Sequence, residues 1–233
     1  PSVPAQSFPA IDSLDACNVV WDSPSADSSG SMPLGNGDVG VNVWVEPNGD
    51  LLFYISKVDA YDASHLLPKL GRVRLRAEPA LDTTSFKQTL VLRDAAVVIE
   101  IGDASFRLWV DAYEPVIRLE GRGLSPRTYT LTAESLRPWQ DAAQPPPSSG
   151  TAALLFHDAY DVLAWCYRNQ SSAWAERFAG QNSPEMIART RDPLLHRTSG
   201  CVLSANGFTR AAADRLATPA PVTLLDASVR VLT

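Results

Sequence analysis

Apolar and polar residues alternate with a period of two over most of the stretch from Val39 to Ser135. Val39–Glu46 (VGVNVWVE) alternates, Pro47-Asn48-Gly49-Asp50 interrupts, and Leu51–Ser56 (LLFYIS) resumes. Asn-Gly between two apolar runs predicts a hairpin, because both residues tolerate positive φ. Gly71–Ala77 (GRVRLRA) sets Arg against Val and Leu, which predicts a strand with one wet and one buried face. Five more runs follow: TLVLR, AVVIEI, SFRLWVDA, VIRLEG and RTYTLTAES. The punctuators between them are Arg93-Asp94, Gly102-Asp103, Glu114-Pro115 and Gly121–Pro126. Many short β-branched runs with turn signals predict a meander of antiparallel strands. Helical periodicity is nearly absent there; only residues 60–70 (AYDASHLLPKL) suit one helical turn, which Pro68 stops.

Beyond Ser135 the texture changes. Residues 137–153 (RPWQDAAQPPPSSGTAA) read as an extended surface loop. Strands resume at Leu154–His157 and Val162–Asn169. Ser171 and Ser172 are placed to cap a short helix that ends near Gly180. Ser199–Phe208 reads as a strand with an Asn-Gly turn. Ala211–Leu216 reads as a short helix or a loop. Val222–Leu225 and Ala227–Leu232 read as two strands separated by Asp226. The fold class expected is all-β: a large antiparallel β-supersandwich with one or two short helices. Residues 1–19 are expected to form an N-terminal extension and 20–233 one domain. The last strand runs to Thr233 with nothing polar after it, which suits a piece of a longer protein.

Composition adds exclusions. The 233 residues are 45% hydrophobic and 20% charged, ordinary for a globular protein. The formal net charge of −6, with scattered arginines, argues against nucleic acid and anionic membrane as partners. No apolar run approaches the roughly 18 residues of a membrane span. The N-terminus lacks the basic and apolar regions of a signal peptide. Cys17, Cys166 and Cys201 form no CxxC and no Cys/His cluster, so neither metal nor other cofactor is expected. One disulfide with a free thiol and three free thiols remain open.

Gly35–Gly40 (GNGDVG) has glycines spaced like a nucleotide loop, but a strand follows it where a Rossmann loop needs a helix. A Walker loop needs Gly-Lys-Ser/Thr, which is absent. The glycines are expected to shape a turn, with the Asn36 amide at its rim. No Gly-x-Ser-x-Gly elbow exists, so His157 and His196 have no nucleophile to serve. Asp59, Asp62 and His65 are spaced by three; they are a metal set on a helix and a solvated loop otherwise. Most of the aspartates, such as Asp50, Asp94 and Asp103, sit in turns for local reasons. No catalytic pair stands out. Trp165, Tyr167, Arg168 and Asn169 close a strand, and two readings stay open. Aromatics beside guanidinium and amide suit sugar recognition, or Trp165 and Tyr167 are core residues of one strand face. Arg197 carries the same ambiguity.

Pro33-Leu34-Gly35-Asn36-Gly37 with Gly40, and the LPKLGRVRLRAEP that follows, resemble the N-terminal β-domain of large bacterial glycoside-hydrolase-like proteins. In these a β-supersandwich precedes an (α/α) six-hairpin barrel. The resemblance is to a family of such N-terminal domains of uncharacterised function, related to inverting α-L-fucosidases that carry a similar P-[LI]-G-N-G-x-x-G. WCYRNQSS at Trp165–Ser172 and DPLLHRTSG at Asp192–Gly200 are similar to later blocks, so the likeness runs in pieces from about Val20 to Gly207. It implies a non-catalytic β-domain of a carbohydrate-active, secreted or periplasmic protein. The family's catalytic acid and base lie in the barrel, so none is carried over. Its partners would be that barrel and carbohydrate, with Gly35, Asn36, Gly37, Asp59 and Asp62 at a pocket rim or domain interface. The competing expectations are a stand-alone carbohydrate-binding module and a structural domain without ligand.

Overall fold

The computed structural model describes residues 11–136, 140–141, 151–156, 161–180, 185 and 189–233. Among the described residues sixteen strands, 3-10 turns at Ile11–Cys17 and Ser28–Gly30, and the helix α1 follow in chain order. The first eight strands are β1 (Val19–Trp21), β2 (Met32–Gly35), β3 (Val39–Val45), β4 (Leu51–Lys57), β5 (Gly71–Glu78), β6 (Phe86–Val91), β7 (Ala96–Ile101) and β8 (Ala104–Val110). Then come β9 (Val116–Glu134), β10 (Gln140–Asp141), β11 (Thr151–Phe156), β12 (Val162–Asn169) and the helix α1 (Trp174–Gly180). The chain closes with β13 (Thr198–Ala205), β14 (Thr209–Ala212), β15 (Arg215–Ala217) and β16 (Val222–Leu232). All pairings are antiparallel except β10 with β11. The all-β antiparallel architecture read from the alternation is the one observed.

The strands form two sheets that share β9. One runs β1-β6-β7-β8-β9-β16-β13-β12-β11-β10; the other runs β2-β3-β4-β5-β9-β15-β14. The first half of β9 pairs with β8 and β16, and its second half with β5 and β15. Odd-numbered residues stay inward on both halves: Ile117 and Leu119, then Tyr129, Leu131 and Ala133. Because strand side chains alternate, that unbroken parity keeps one face of β9 against the core while the sheet curls around it. Val41, Val43, Phe53, Ile55 and Leu75 from one sheet meet Ile99, Leu108, Leu203 and Val229 from the other in a single buried cluster. Each fully buried aliphatic or aromatic side chain contributes on the order of 1.5–3 kcal/mol.

The corner explains one correction. Gly121–Pro126 interrupts the pattern in the sequence, yet lies inside the continuous β9. Residues 124–126 have no strand partner, and the β16 register shifts between Val222 and Leu224 opposite them. Pro126, which has no N–H to donate, therefore sits where no ladder bond is needed. Asp103 ties the bulge: its backbone carbonyl accepts from Leu124 N at 3.0 Å and its carboxylate from Ser125 N at 3.0 Å. Gly121 lets Phe106 close down, since a Cβ there would lie 2.7 Å from the ring.

Other expectations change as well. Ala211–Leu216 is neither helix nor loop but most of the β14–β15 hairpin, held by pairing of β15 to β9. Val222–Leu225 and Ala227–Leu232 are one strand, because Asp226 pairs in register with Glu120. Residues 60–70 form a turn rather than a helical turn. The Asp62 carboxylate accepts the N–H groups of Ser64 and Leu66, which competes with helix formation. The N-terminal extension already holds the start of β1 at Val19, which pairs with Leu90. The 137–153 loop includes β10 and the start of β11; Trp139 and His157 lie outside the described residues. As expected, Ser172 Oγ caps α1, accepting from Trp174 N at 3.0 Å. Cys17, Cys166 and Cys201 are all free thiols. Cys166 and Cys201 are on adjacent strands but opposite faces, since Trp165 is the register partner of Cys201. No described helix is long and apolar enough to cross a membrane.

Candidate functional site

The Asn48-Gly49 turn sets the β3–β4 register, which pairs Val39 with Lys57. That register brings Asp38 beside Lys57 at one end of the sandwich. Lys57 Nζ donates to Asp38 at 2.6 Å and to Asp59 at 2.9 Å. Asp59 continues the chain of charges. Its carboxylate pairs with Arg197 Nη2 at 3.1 Å and accepts from Thr233 Oγ1 at 2.8 Å, while its carbonyl accepts Arg197 Nε at 2.6 Å. Burial works against the Lys57 ammonium, but the hydrogen bonds to Asp38 and Asp59 outweigh it and hold its pKa above the ordinary value. Burial likewise works to raise Asp59. The hydrogen bonds from Lys57 and Thr233 and the charges of Lys57 and Arg197 outweigh it, so its pKa is lowered. A carboxylate held ionised in this way is no proton donor at neutral pH.

The Gly35–Gly40 stretch is the β2–β3 turn. Gly37 takes φ +91°, a conformation that favours glycine. Asn36 builds the turn. Its Oδ1 accepts from Asp38 N at 3.0 Å and Val39 N at 2.8 Å, and its Nδ2 donates to the carbonyls of Asp111 at 2.8 Å and Glu114 at 3.3 Å. The half-buried amide thus joins this turn to the β8–β9 loop. Asp62 is spent likewise in its own turn. His65 packs its ring on Tyr61 at 4.8 Å. Among the described residues no group of three or more His, Cys, Asp or Glu side chains is placed to hold a metal ion.

The aromatic strand resolves towards the core. Trp165 and Tyr167 are buried, so neither offers a ring face to a ligand. Trp165 Nε1 donates to Leu70 O at 2.7 Å, and the indole lies against Gly71, where a Cβ would come 3.1 Å from Nε1. The Tyr167 hydroxyl meets Ser135 Oγ at 3.0 Å. Arg168, on the opposite face of β12, is exposed and apart from both. Asn169 is fully buried and fastens two loops: Nδ2 donates to Tyr61 O at 3.1 Å and to Leu194 O at 2.9 Å. Its backbone N–H donates to Arg197 O and its carbonyl accepts from His196 N.

Six of the sequence-derived candidates therefore meet at one end of the sandwich: Gly35, Asn36, Gly37, Asp59, Asn169 and Arg197. Two clefts open there on either side of the Lys57–Asp59 segment. One, of about 600 Å³, is lined by Asp59, Asp192, Leu195, His196, Arg197 and Thr233. The other, of about 450 Å³, is lined by Gly35, Gly37, Gly40, Ser56, Leu67 and Lys69, among others. Sequence reasoning missed Asp38, Lys57, Lys69 and Asp192. The first two were legible from the hairpin register. Asp192 organises its loop by accepting from Leu194 N and Leu195 N at 2.8 and 3.1 Å, which shows only once the loop is folded.

The fold and this end define an all-β antiparallel sandwich domain whose loops converge at one pole. The chain belongs to the DUF5703 N-terminal family, described as a domain of unknown function, whose family model matches residues 20–217. The match stops short of β16, which is nonetheless an internal strand of its sheet. No curated protein matches the chain.

Proposed function

We propose that this domain is the non-catalytic N-terminal β-domain of a glycoside-hydrolase-like, carbohydrate-active protein. On this reading its loop-bearing pole packs on a following (α/α) barrel and helps shape that barrel's active site. The protein would then be secreted or periplasmic, where polymeric carbohydrate is met. The observation that carries the reading is the apolar surface at that pole. Tyr113 is 98% exposed, Leu66 61%, Val58 54% and Leu67 53%, all on loops hydrogen-bonded to or lining the β2–β3 turn region. Leu195 and Leu232 are exposed nearby. Single exposed apolar residues are ordinary, and Leu124 and Leu224 are exposed at the β9–β16 corner too; the group around the β2–β3 turn supports an interaction surface there. The resemblance of Pro33–Gly40 to fucosidase-related proteins points to the same pole.

Trp44 and Trp165 are buried and half-buried Trp109 carries the Arg107 guanidinium over its ring at 5.0 Å, which favours the docking or the structural reading over the binding module; Trp139 lies outside the described residues. The test has two parts. The purified chain should hydrolyse no member of a fucoside panel, and the in-frame sequence beyond Thr233 should continue as paired amphipathic helices. Hydrolysis by the chain itself, or a stop codon directly after Thr233, would overturn the reading.

A further inference from the structure

We infer that the cleft beside the β2–β3 turn is a binding site for a monosaccharide-sized hydroxycarboxylate, such as a hexuronate. This goes beyond the docking role: the cleft opens within the same loop-bearing pole and shares Val58 and Leu67 with it, and the test uses the chain by itself. The floor is bare: Gly35 and Gly40 are register partners, so no side chain rises between β2 and β3 there. Ser56, the register partner of Gly40, and Asn42 bring a hydroxyl and an amide beside it. Among the described residues, the acceptors that hold Lys69 Nζ over this floor are neutral: Asn42 Oδ1 at 3.2 Å and Ser56 Oγ at 3.1 Å. Lys57, the other cation of the cleft, is already matched by Asp38 and Asp59.

The charge pattern selects the ligand. With Lys57 balanced by Asp38 and Asp59, Lys69 is the cation of this lining whose described acceptors are all neutral. A single ammonium facing the cleft matches the charge of a monoanion. The hydroxyl and amide at the floor suit ligand hydroxyls, and the exposed Val58 and Leu67 at the rim suit the CH face of a sugar ring. A volume of about 450 Å³ is in the range of small-molecule sites.

The experiment is an NMR titration of the isotope-labelled chain with D-glucuronate, D-glucose and acetate. Expected are saturable shifts confined to the amides of residues 35–40, Ser56 and Lys69, with glucuronate binding about tenfold tighter than glucose or acetate. Lys69→Met should weaken glucuronate about tenfold. Gly40→Val should abolish binding by filling the floor; a Cβ there meets only Ser56 Cβ at 3.8 Å and the backbone is not strained, so the strand tolerates it. Equal affinity for glucose removes the role of Lys69 and overturns the proposal. Equal affinity for acetate reduces the site to a bare carboxylate contact and overturns the sugar-acid class. Glucuronate binding that survives Gly40→Val puts the site elsewhere. Each of these results leaves the docking reading untouched.

Discussion

Removing the Asn169 amide should loosen the whole loop pole. The side chain is 1% exposed and joins two loops far apart in sequence, through Tyr61 O and Leu194 O. Asn169→Ala deletes both bonds and strands two acceptors. Each lost bond costs about 1 kcal/mol, and each acceptor left without its partner adds up to about as much again, so the expected loss is about 2–4 kcal/mol. For a domain of this size that lowers Tm by about 6–12 °C. The assay is thermal and urea unfolding followed by circular dichroism, with hydrogen exchange at the His196 and Arg197 amides as the local readout. Asn169→Asp sharpens the test. It aims a carboxylate at two carbonyl oxygens in a buried site, so its folded pKa must rise above the unfolded value. A group with a raised folded pKa favours the fold below its unfolded pKa and loses that contribution as pH rises through the folded one. Asn169→Asp should therefore be closer to the parent at pH 4 than at pH 7. A loss below about 1 kcal/mol for Asn169→Ala, or an Asn169→Asp penalty that does not grow with pH, would refute the reasoning.

Asp50 is almost fully buried between Arg74 Nη1 at 2.8 Å and Arg76 Nη2 at 2.7 Å. Burial works to raise its pKa but the hydrogen bonds from Arg76 and Arg74 outweigh it, leaving the pKa lowered. Its contribution is present above the unfolded pKa of about 3.9 and is lost as pH falls through the folded value, so urea midpoints should drop below about pH 4. Asp50→Asn should cost about 3 kcal/mol at pH 7 and flatten that acid limb. Trp165→Phe loses the bond to Leu70 O and ring volume beside Gly71; about 2–3 kcal/mol is expected in urea unfolding, and a loss under about 1 would sink the account. Gly37→Ala and Gly71→Ala should differ. Both meet positive φ, but Gly37 has open space around it while Gly71 abuts the Trp165 indole, so the Tm drop should be small for the first and clearly larger for the second.

Much of the fold is local chemistry written along the chain. Alternation at Val39–Val45 and Leu51–Lys57, with Asn48-Gly49 between them, fixes a hairpin and its register, and with it the Asp38–Lys57 pair. The Arg face of β5 is as legible, though its ion pairs with Glu134 and Glu46 are not. A side chain that alternates in or out reports only on its own strand. Whether Gly121–Pro126 breaks a strand depends on β16 arriving opposite it with a bulge, and whether Ala211–Leu216 is a hairpin depends on β9 being free to pair.

The site divides the same way. Glycines at 35, 37 and 40 announce a turn by themselves, and Asp59, Asn169 and Arg197 are visible as polar residues at strand ends. Their meeting is not visible, because Asp59 and the β2–β3 turn meet Asn169 and Arg197, more than a hundred residues further on, only by the closing of two sheets over one core. Trp165 shows why. Its sequence neighbours allow a sugar platform or a core residue equally, and only the position of Leu70 and Gly71 across the sandwich decides that the ring is inside. The sequence determined the strands, their faces and the turns between them, since these follow from backbone sterics and hydrophobic period. The tertiary structure alone decided which polar groups are spent on one another and which, like Lys69, are left facing a cleft, since that depends on partners far away along the chain.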